Sequence, residues 1–280
     1  MCPNTNIILK EFELKLEQQH YSTSSIKAYK FAVSNFLKDA AICELDTMSE
    51  KSIHDFMCRL HSNSSFSIAY KRQILVAVNK LFALNFNRNL NLSIFNTNPK
   101  TNPFPEALSI TEIKDLLCSC TNIKHLCILK LMYGCGLLIS EVLNLKVGDV
   151  DFDSMSVILR AINGPSVRTV PLPQSLRLSL KRYFEDYRPK VYLFQGQKKP
   201  QYSSKSIQNF VKKYAYKAGI DKNITPYMLR HSYAIHQLRK GVSLHLIRSI
   251  MGHVNLKTTE RYQRVSEISN QSLLNPLDPL

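Results

Sequence analysis

The stretch from Asn85 to Pro105, NFNRNLNLSIFNTNPKTNPFP, limits how this chain can fold. Its repeated asparagines and its prolines (Pro99, Pro103 and Pro105) break both helical and strand periodicity. Because periodic apolar sequence lies on both sides, we expect two domains joined by a linker. We place a helical domain at 1–85, the linker at 86–105, a second domain at 106–265 and a C-terminal tail at 266–280.

The first domain is predicted to be helical throughout, with no convincing strand. Apolar residues recur at helical spacing in four segments, three of which begin after Ser22, at Ser49 and at Ser67. The stripe of the first segment comprises Ile7, Ile8, Phe12, Leu14 and Leu16. Four basic residues lie off the stripes and are candidates for contacts with a polyanion, with ordinary solvated charge as the alternative for each: Lys27, Lys30, Lys71 and Arg72.

The second domain combines helices with a short hairpin. Ser109 and Glu112 form a capping-box pattern, and Thr225-Pro226 is a second helix start. Two β-rich runs, Ser156–Arg160 and Val167–Leu172, flank Asn163-Gly164-Pro165 and predict a hairpin. Helices are predicted over 122–134, 139–146, 173–187, 204–218, 226–239, 243–251 and 257–265. The expected fold class is therefore mainly α with a small antiparallel sheet (α+β).

The charge balance favours a polyanionic partner. The 280 residues carry 37 Lys+Arg against 21 Asp+Glu, a formal net charge of +16. Residues 1–100 hold 12 basic and 8 acidic residues, which leaves 25 and 13 in 101–280. Such a surplus attracts polyanions over several ångströms and strengthens binding to them. A protein that is merely basic is the alternative.

The cysteines indicate neither disulfides nor a metal site. The chain has an odd number, seven, with no CxxC pair. Most lie in apolar helical context, which is typical of reduced core residues in a cytosolic protein. The N-terminal residues lack the apolar core of a signal peptide, and no apolar run reaches the roughly 18 residues of a membrane span. We expect a cytoplasmic protein with neither a disulfide framework nor a zinc site.

The most informative segment runs from Ile224 to Val265. It places Arg230, Gly252-His253 and Tyr262 in a fixed order. A phenol is a weak nucleophile, and phosphoryl transfer spreads negative charge over non-bridging oxygens, so a tyrosine that attacks a phosphodiester needs a fixed cation and hydrogen-bond donors nearby. Arg230 offers a planar fork matched to phosphate, His253 a second donor and Tyr262 the nucleophile. A helix-surface tyrosine and a core histidine are the structural alternatives.

Four motifs in this order resemble the tyrosine recombinase (phage integrase) family of the Xer type. They are YSTSSIKAYKFAVSNFL at 21–37, MYGCGLLISEVLNLKVGDVDF at 132–152, VRTVPLP at 167–173 and the 225–262 segment. The resemblance spans nearly the whole chain. It implies a core-binding domain and a catalytic domain that close on double-stranded DNA as a C-shaped clamp. It also implies a tyrosine that forms a 3′-phosphotyrosyl link without metal or nucleotide.

Residue by residue, the resemblance assigns three catalytic positions. Tyr262 matches the nucleophile, Arg230 the second catalytic arginine and His253 the histidine of the Gly-His pair. Glu141 matches an acid that supports the site from behind. His231 matches a position that is usually histidine, for which we favour a structural role.

Three other positions depart from the family pattern. Leu138 stands where the first catalytic arginine is expected, Asn163 where the hairpin lysine acts as general acid, and Tyr227 where a histidine or lysine is usual. An amide cannot protonate a leaving alkoxide, and general-acid loss slows such reactions by roughly 10²–10⁴. Arg160 and Arg168 both lie on the hairpin strands, and either is a candidate to replace the missing guanidinium, because side-chain directions there stay open.

Two functions follow as hypotheses. The first is a site-specific DNA recombinase or integrase of a mobile element, impaired by the departures. The second is an inactive DNA-binding pseudo-recombinase, either a regulator or a decayed mobile-element product. The resemblance implies a homotetramer on DNA, or a hetero-tetramer with a related recombinase. Leu273, Leu274 and Leu277 in the tail then either dock on a neighbouring protomer or belong to a frayed end.

Overall fold

The structure is a computed structural model that describes residues 3–39, 45, 48–92, 95, 107–160, 167–197 and 199–252. The chain divides into two compact units, Met1–Asn102 and Pro103–Leu280. The finer division into linker and tail stays a prediction. Asn163, His253, Tyr262, the helix predicted at 257–265 and the tail all lie outside the described residues.

Where the structure describes it, the first unit has four α-helices around one apolar core. They are α1 (Pro3–Gln18), α2 (Thr23–Asp39), α3 (Glu50–Ser62) and α4 (Ile68–Phe86). The predicted starts at Ser49 and Ser67 are confirmed, because each hydroxyl accepts a backbone N–H three residues later, at 3.1 and 3.2 Å. The first backbone N–H groups of a helix have no acceptor within the helix, and a capping serine accepts from one of them.

One part of the predicted stripe on α1 is wrong. Phe12 and Leu16, four residues apart, are fully buried, whereas Ile7 and Leu14 are exposed. Residues seven apart point in nearly the same direction on a helix, and positions 7 and 14 lie off the face shared by 12 and 16. The core of the unit therefore uses a narrower stripe, and the exposed pair is apolar surface.

The second unit contains seven helices and a three-stranded sheet within its described residues. The helices are α5 (Ile110–Cys118), α6 (Ile123–Gly134), α7 (Ile139–Asn144), α8 (Gln174–Tyr187), α9 (Ser204–Lys217), α10 (Pro226–Arg239) and α11 (Leu244–Met251). The capping box that opens α5 is confirmed: the Ser109 hydroxyl accepts from Glu112 N, and the Glu112 carboxylate accepts from Ser109 N at 2.7 Å. None of the described helices has the length and apolar character needed to cross a bilayer.

The sheet is antiparallel, in the order β1–β2–β3. β2 (Ser156–Arg160) and β3 (Val167–Pro171) confirm the predicted hairpin, and β1 (Val150–Asp151) is a third strand that the sequence did not reveal. Two residues are too few for an alternating pattern to be recognised. In the β2–β3 register Val157 faces Val170, and Leu159 faces Arg168. Since directly opposed residues share a face of an antiparallel sheet, Arg168 lies on the face with the three buried apolar residues.

The helices α10 and α11 carry the segment that the sequence singles out. Pro226 opens α10 as expected, and α10 is buried along most of its length, including Arg230. The Ser243 hydroxyl caps α11, accepting from Leu246 N at 3.3 Å. Gly252 ends α11 in the left-handed region with φ +63°. α11 thus ends immediately before His253.

Candidate active site

Arg230 is held in the interior of the second unit by backbone carbonyls. Its Nη1 donates to Gly136 O at 2.6 Å and its Nη2 to Met251 O at 2.5 Å, and the side chain is only 2% exposed. A buried guanidinium is tolerated only where acceptors replace its hydration. Gly136 precedes α7 and Met251 ends α11, so this one side chain joins the two segments that bear the family motifs.

Glu141 is the common acceptor of the site. Its Oε2 accepts from Leu138 N at 2.8 Å, which caps α7, and lies 3.5 Å from Arg230 Nη1. Its Oε1 lies 2.7 Å from Arg168 Nη2. The carboxylate is 11% exposed, so these contacts operate in a largely dry environment, where electrostatic interactions are stronger.

Arg168 reaches into this cluster from β3. Besides the ion pair with Glu141, its Nε donates to Ile250 O at 2.7 Å. The contact of Nη2 with Glu141 is a close ion pair rather than an aligned hydrogen bond, because the donor geometry is unfavourable. Arg168 and Arg230 thus bind the consecutive carbonyls of Ile250 and Met251 at the C-terminus of α11, where the helix dipole favours cations.

Arg160 does not take part. Its guanidinium pairs with Asp149 at 3.1 Å, and its side chain is 58% exposed, compared with 20% for Arg168. Of the two hairpin arginines that the sequence left open, only Arg168 therefore contacts the Arg230–Glu141 pair. Arg168 lies two residues before the buried Val170 and therefore shares its face of the sheet, whereas Arg160 lies opposite the exposed Val167.

Gly252 lies against the guanidinium of Arg168. A Cβ at this position would lie 2.8 Å from Arg168 Nη1, and φ is positive. Glycine suits this position because a positive φ disfavours residues with a Cβ, and a Cβ would force the Arg168 guanidinium to move. The glycine of the Gly-His pair therefore lets the guanidinium pack against the chain directly before His253.

Leu138 and Tyr227 line an open pocket beside Arg230. The pocket has a volume of about 480 Å³, and its other apolar walls are Met132, Leu137, Ile139 and Leu143. Leu138 is half-buried, and Tyr227 is 46% exposed with its ring edge against His231, the centroids being 4.3 Å apart. The pocket wall at 138 is thus apolar, while the phenol of Tyr227 faces an accessible space.

His231 has a histidine pKa lowered to about 4. Burial is the larger cause, and the charge of Arg230 next to it is the second. The ring is therefore neutral near pH 7, in keeping with the structural role that we expected. No further positive charge comes from this residue.

The four basic candidates of the first unit differ in their surroundings. Lys27 is exposed, whereas Lys30 pairs with Glu13 and Lys71 donates to His61 O at 2.7 Å. Arg72 is half-buried. Lys27 is accordingly the member whose ammonium group is most accessible, and the assignment of all four to DNA stays a prediction.

Comparison with known proteins identifies the family of this chain. Residues 106–268 match the phage integrase family, and residues 8–91 match the phage integrase N-terminal SAM-like domain. The tyrosine recombinase XerA of Pyrococcus horikoshii is 31% identical over 264 residues, which cover 92% of this chain and 89% of that protein. XerA of Pyrococcus furiosus is 33% identical over 269 residues, covering 92% and 90%.

A solved structure shows the same fold. The recombinase XerH bound to its palindromic difH substrate, in a post-cleavage complex, superposes with a TM-score of 0.72 at 22% identity. The match covers 86% of this chain and 76% of XerH. The mainly helical, two-domain fold with its small antiparallel sheet is therefore confirmed.

Proposed function

Because this chain belongs to the phage integrase family of tyrosine recombinases, we propose that Tyr262 attacks a DNA phosphodiester held by Arg230 and His253. The chain acts in site-specific DNA recombination, and double-stranded DNA is its partner. Attack by the Tyr262 oxygen forms a 3′-phosphotyrosyl bond and releases a 5′-hydroxyl. That hydroxyl attacks the phosphotyrosyl bond of a partner strand, which restores the phosphodiester and frees the tyrosine.

One observation carries the proposal: a buried guanidinium that is fixed between Gly136 and Met251, directly before the Gly-His pair. A cation held by carbonyls needs no reorganisation when negative charge develops on the phosphate, and such pre-organised stabilisation is a large part of enzymatic rate enhancement. Gly252 ends the same helix, and His253 is the next residue in the sequence. Arg230 therefore contacts the residue that lies two positions before His253 in the sequence.

The three departures lower the rate that we expect. Leu138 removes a guanidinium, and losing a single oxyanion donor slows comparable reactions by roughly 10²–10³. Asn163 cannot serve as general acid, which costs roughly another 10²–10⁴. These factors do not multiply freely, because groups within one site are not additive. Tyr227 still offers a neutral O–H donor.

Trapping of a covalent adduct tests the nucleophile. A duplex is first enriched from a random library by binding to the protein, and a nick is then placed at successive positions in it. Cleavage beside a nick releases a short fragment that diffuses away, so the protein stays joined to DNA. We expect an adduct that is stable in denaturant and absent in Tyr262→Phe. The absence of an adduct at every nick position would reject catalysis.

The second candidate is a DNA-binding protein that does not cut, and the apolar pocket wall at Leu138 is the observation that favours it. It predicts gel shifts that weaken with salt and are equal for the parent and Tyr262→Phe. The triple variant Leu138→Arg, Asn163→Lys, Tyr227→His separates the two functions. If the variant cleaves the nicked duplex and the parent does not, the parent is a binding protein with an otherwise intact site.

We also propose that four protomers assemble on DNA in the cytoplasm, either four copies of this chain or a mixture with a related recombinase. Strand exchange between two duplexes needs two cleavage sites on each, and one protomer supplies one tyrosine. Light scattering of the protein with and without the enriched duplex measures the mass. A protein that stays monomeric on DNA at all concentrations would contradict the assembly.

A further inference from the structure

We infer that Arg168 is a positioning residue that neutralises Glu141, so that the charge of Arg230 remains available to a DNA phosphate. This inference rests on the proposed function in one respect, since the phosphate is the one that Arg230 would hold. The carboxylate is shared unequally: Arg168 Nη2 lies 2.7 Å from Oε1, whereas Arg230 Nη1 lies 3.5 Å from Oε2. Glu141 is therefore paired mainly with Arg168.

The other contacts of Glu141 and Arg230 support this unequal pairing. Oε2 already accepts from Leu138 N at 2.8 Å, so the oxygen nearer to Arg230 is engaged by a backbone donor. Arg230 takes its strongest contacts from two neutral carbonyls, Gly136 O and Met251 O. Carbonyls orient a guanidinium without cancelling its charge. Arg230 is thus fixed in place by neutral groups and only weakly by the carboxylate.

The charges of the three side chains sum to one positive charge. Two guanidiniums and one carboxylate lie together in a place where the carboxylate and Arg230 are almost completely removed from solvent. An excess charge of this kind is unfavourable unless an anion approaches it. Arg230, a member of this cluster, also lines the open pocket of about 480 Å³. A phosphodiester entering it would meet a cation that is not already neutralised.

Without Arg168 the cluster loses its excess positive charge. Arg230 would be the only cation left within ion-pair distance of Glu141 among the described residues. The cluster would then be neutral, and Arg230 would compensate the carboxylate in place of a phosphate. Leu138 makes this more important, because the family's other guanidinium is missing at that position. Arg168 does not have to touch DNA to have this effect.

Arg168 also has a purely structural contact, from its Nε to Ile250 O, which tethers α11. An experiment must separate the tether from the neutralisation. The pair Arg168→Gln and Glu141→Gln does so. The double variant removes both charges and so restores the excess charge around Arg230, but it does not restore the guanidinium tether. The glutamine at 141 keeps an amide oxygen that can accept from Leu138 N.

The matched control uses the other hairpin arginine. Arg160→Gln removes the same charge from the neighbouring strand, where the guanidinium pairs with Asp149. Arg160→Gln with Asp149→Asn restores the net charge there. Two quantities are measured for every protein: the slope of log binding constant against log salt for the enriched duplex, and the rate of adduct formation on its nicked forms. Thermal unfolding midpoints report on folding.

We expect Arg168→Gln to flatten the salt slope by about 0.9, the effect of one lost phosphate contact, relative to the Arg160→Gln control. Adduct formation should fall by about 10²–10³, the effect of losing one oxyanion donor. The double variant with Glu141→Gln should recover the parental salt slope. Its rate of adduct formation should be at least about tenfold that of Arg168→Gln. Arg168→Lys, which keeps a cation at the carboxylate, should keep the parental slope.

Three outcomes would overturn the inference: a double variant no better than Arg168→Gln, a lysine variant as poor as the glutamine variant, or an Arg160–Asp149 pair that behaves in the same way. One further result would reject the proposed catalysis and leave this inference standing. If no protein forms an adduct but the salt slopes follow the expected pattern, the site binds phosphate through Arg230 without cutting. The binding and cleavage measurements thus fail independently.

Discussion

The guanidinium of Arg168 occupies the space that a side chain at Gly252 would need. A Cβ on Gly252 would lie 2.8 Å from Arg168 Nη1 and 2.9 Å from Cζ, closer than such atoms approach in proteins. Gly252 ends α11 and precedes His253, so the strand that bears Arg168 and the helix that leads to the Gly-His pair are in direct contact.

We predict that Gly252→Ala is damaging for two separable reasons. The positive φ of +63° costs about 1–2 kcal/mol for a residue with a Cβ, and the methyl group must also displace Arg168. Gly219→Ala is the matched control, because Gly219 has φ +68° and nothing within 4 Å of the Cβ. Urea unfolding should show a larger loss of unfolding free energy for Gly252→Ala than for Gly219→Ala. The slope of log DNA-binding constant against log salt should also flatten for Gly252→Ala. Equal losses of stability in the two variants would mean that the Arg168 side chain moves aside without an energetic cost.

Glu141 should matter far more to stability than its equivalent in α5. Glu141 and Glu112 each accept the backbone N–H of the residue three positions earlier, at 2.8 and 2.7 Å. Glu141→Ala also leaves two guanidiniums without their carboxylate, and breaking a buried pair costs about 3–5 kcal/mol. Glu112→Ala removes a cap worth about 0.5–2 kcal/mol and a partly exposed ion pair with Lys222, a kind of contact that contributes about 0–1 kcal/mol. Chemical unfolding of both variants measures the difference, which similar values would refute.

Much of the second unit could be predicted from the sequence. The capping box at Ser109, the hairpin and the proline start of α10 are local signals, and each element lies within a few residues of its predicted place. Local signals suffice there because caps and turns depend on neighbours in the chain.

The contacts of Arg168 are a different matter. They depend on the packing of α11 and α7 against β3. Arg168 and Ile250, for example, are 82 positions apart in the sequence. The same reason explains Lys30 and Lys71 in the first unit. Their partners, Glu13 and the His61 carbonyl, come from other helices, so the sequence alone showed only that both lysines lie off the apolar stripes.

The second unit should lose stability in mild acid through His236. This histidine is buried, its Nδ1 lies 3.0 Å from Tyr133 Oη, and burial lowers its pKa to about 4. The unfolded chain, with an ordinary histidine pKa near 6.5, takes up the proton first as the pH falls. The contribution of neutral His236 to the free energy of unfolding is therefore fully present above pH 6.5. It is lost as the pH falls from 6.5 to 4, by up to about 1.4 kcal/mol per pH unit.

Comparison of the parent with His236→Gln isolates this effect from the carboxylates. His125 and His231, whose pKa values are also lowered to about 4, remain in both proteins. The free energy of unfolding, measured in urea at pH 7.5 and 5.0, should drop more for the parent. The glutamine variant should start from a lower value at pH 7.5. An identical drop in both proteins would show that His236 is protonated without penalty.

Leu138→Arg should change phosphate binding in the direction opposite to Arg168→Gln. Leu138 is half-buried at the wall of the pocket that Arg230 also lines, so a longer side chain can extend into open space. A second guanidinium there should steepen the salt slope by about 0.9 and raise the rate of adduct formation. Leu138→Gln, polar and of similar reach but uncharged, should do neither. If Leu138→Arg leaves the slope unchanged, as Leu138→Gln should, position 138 does not face the phosphate.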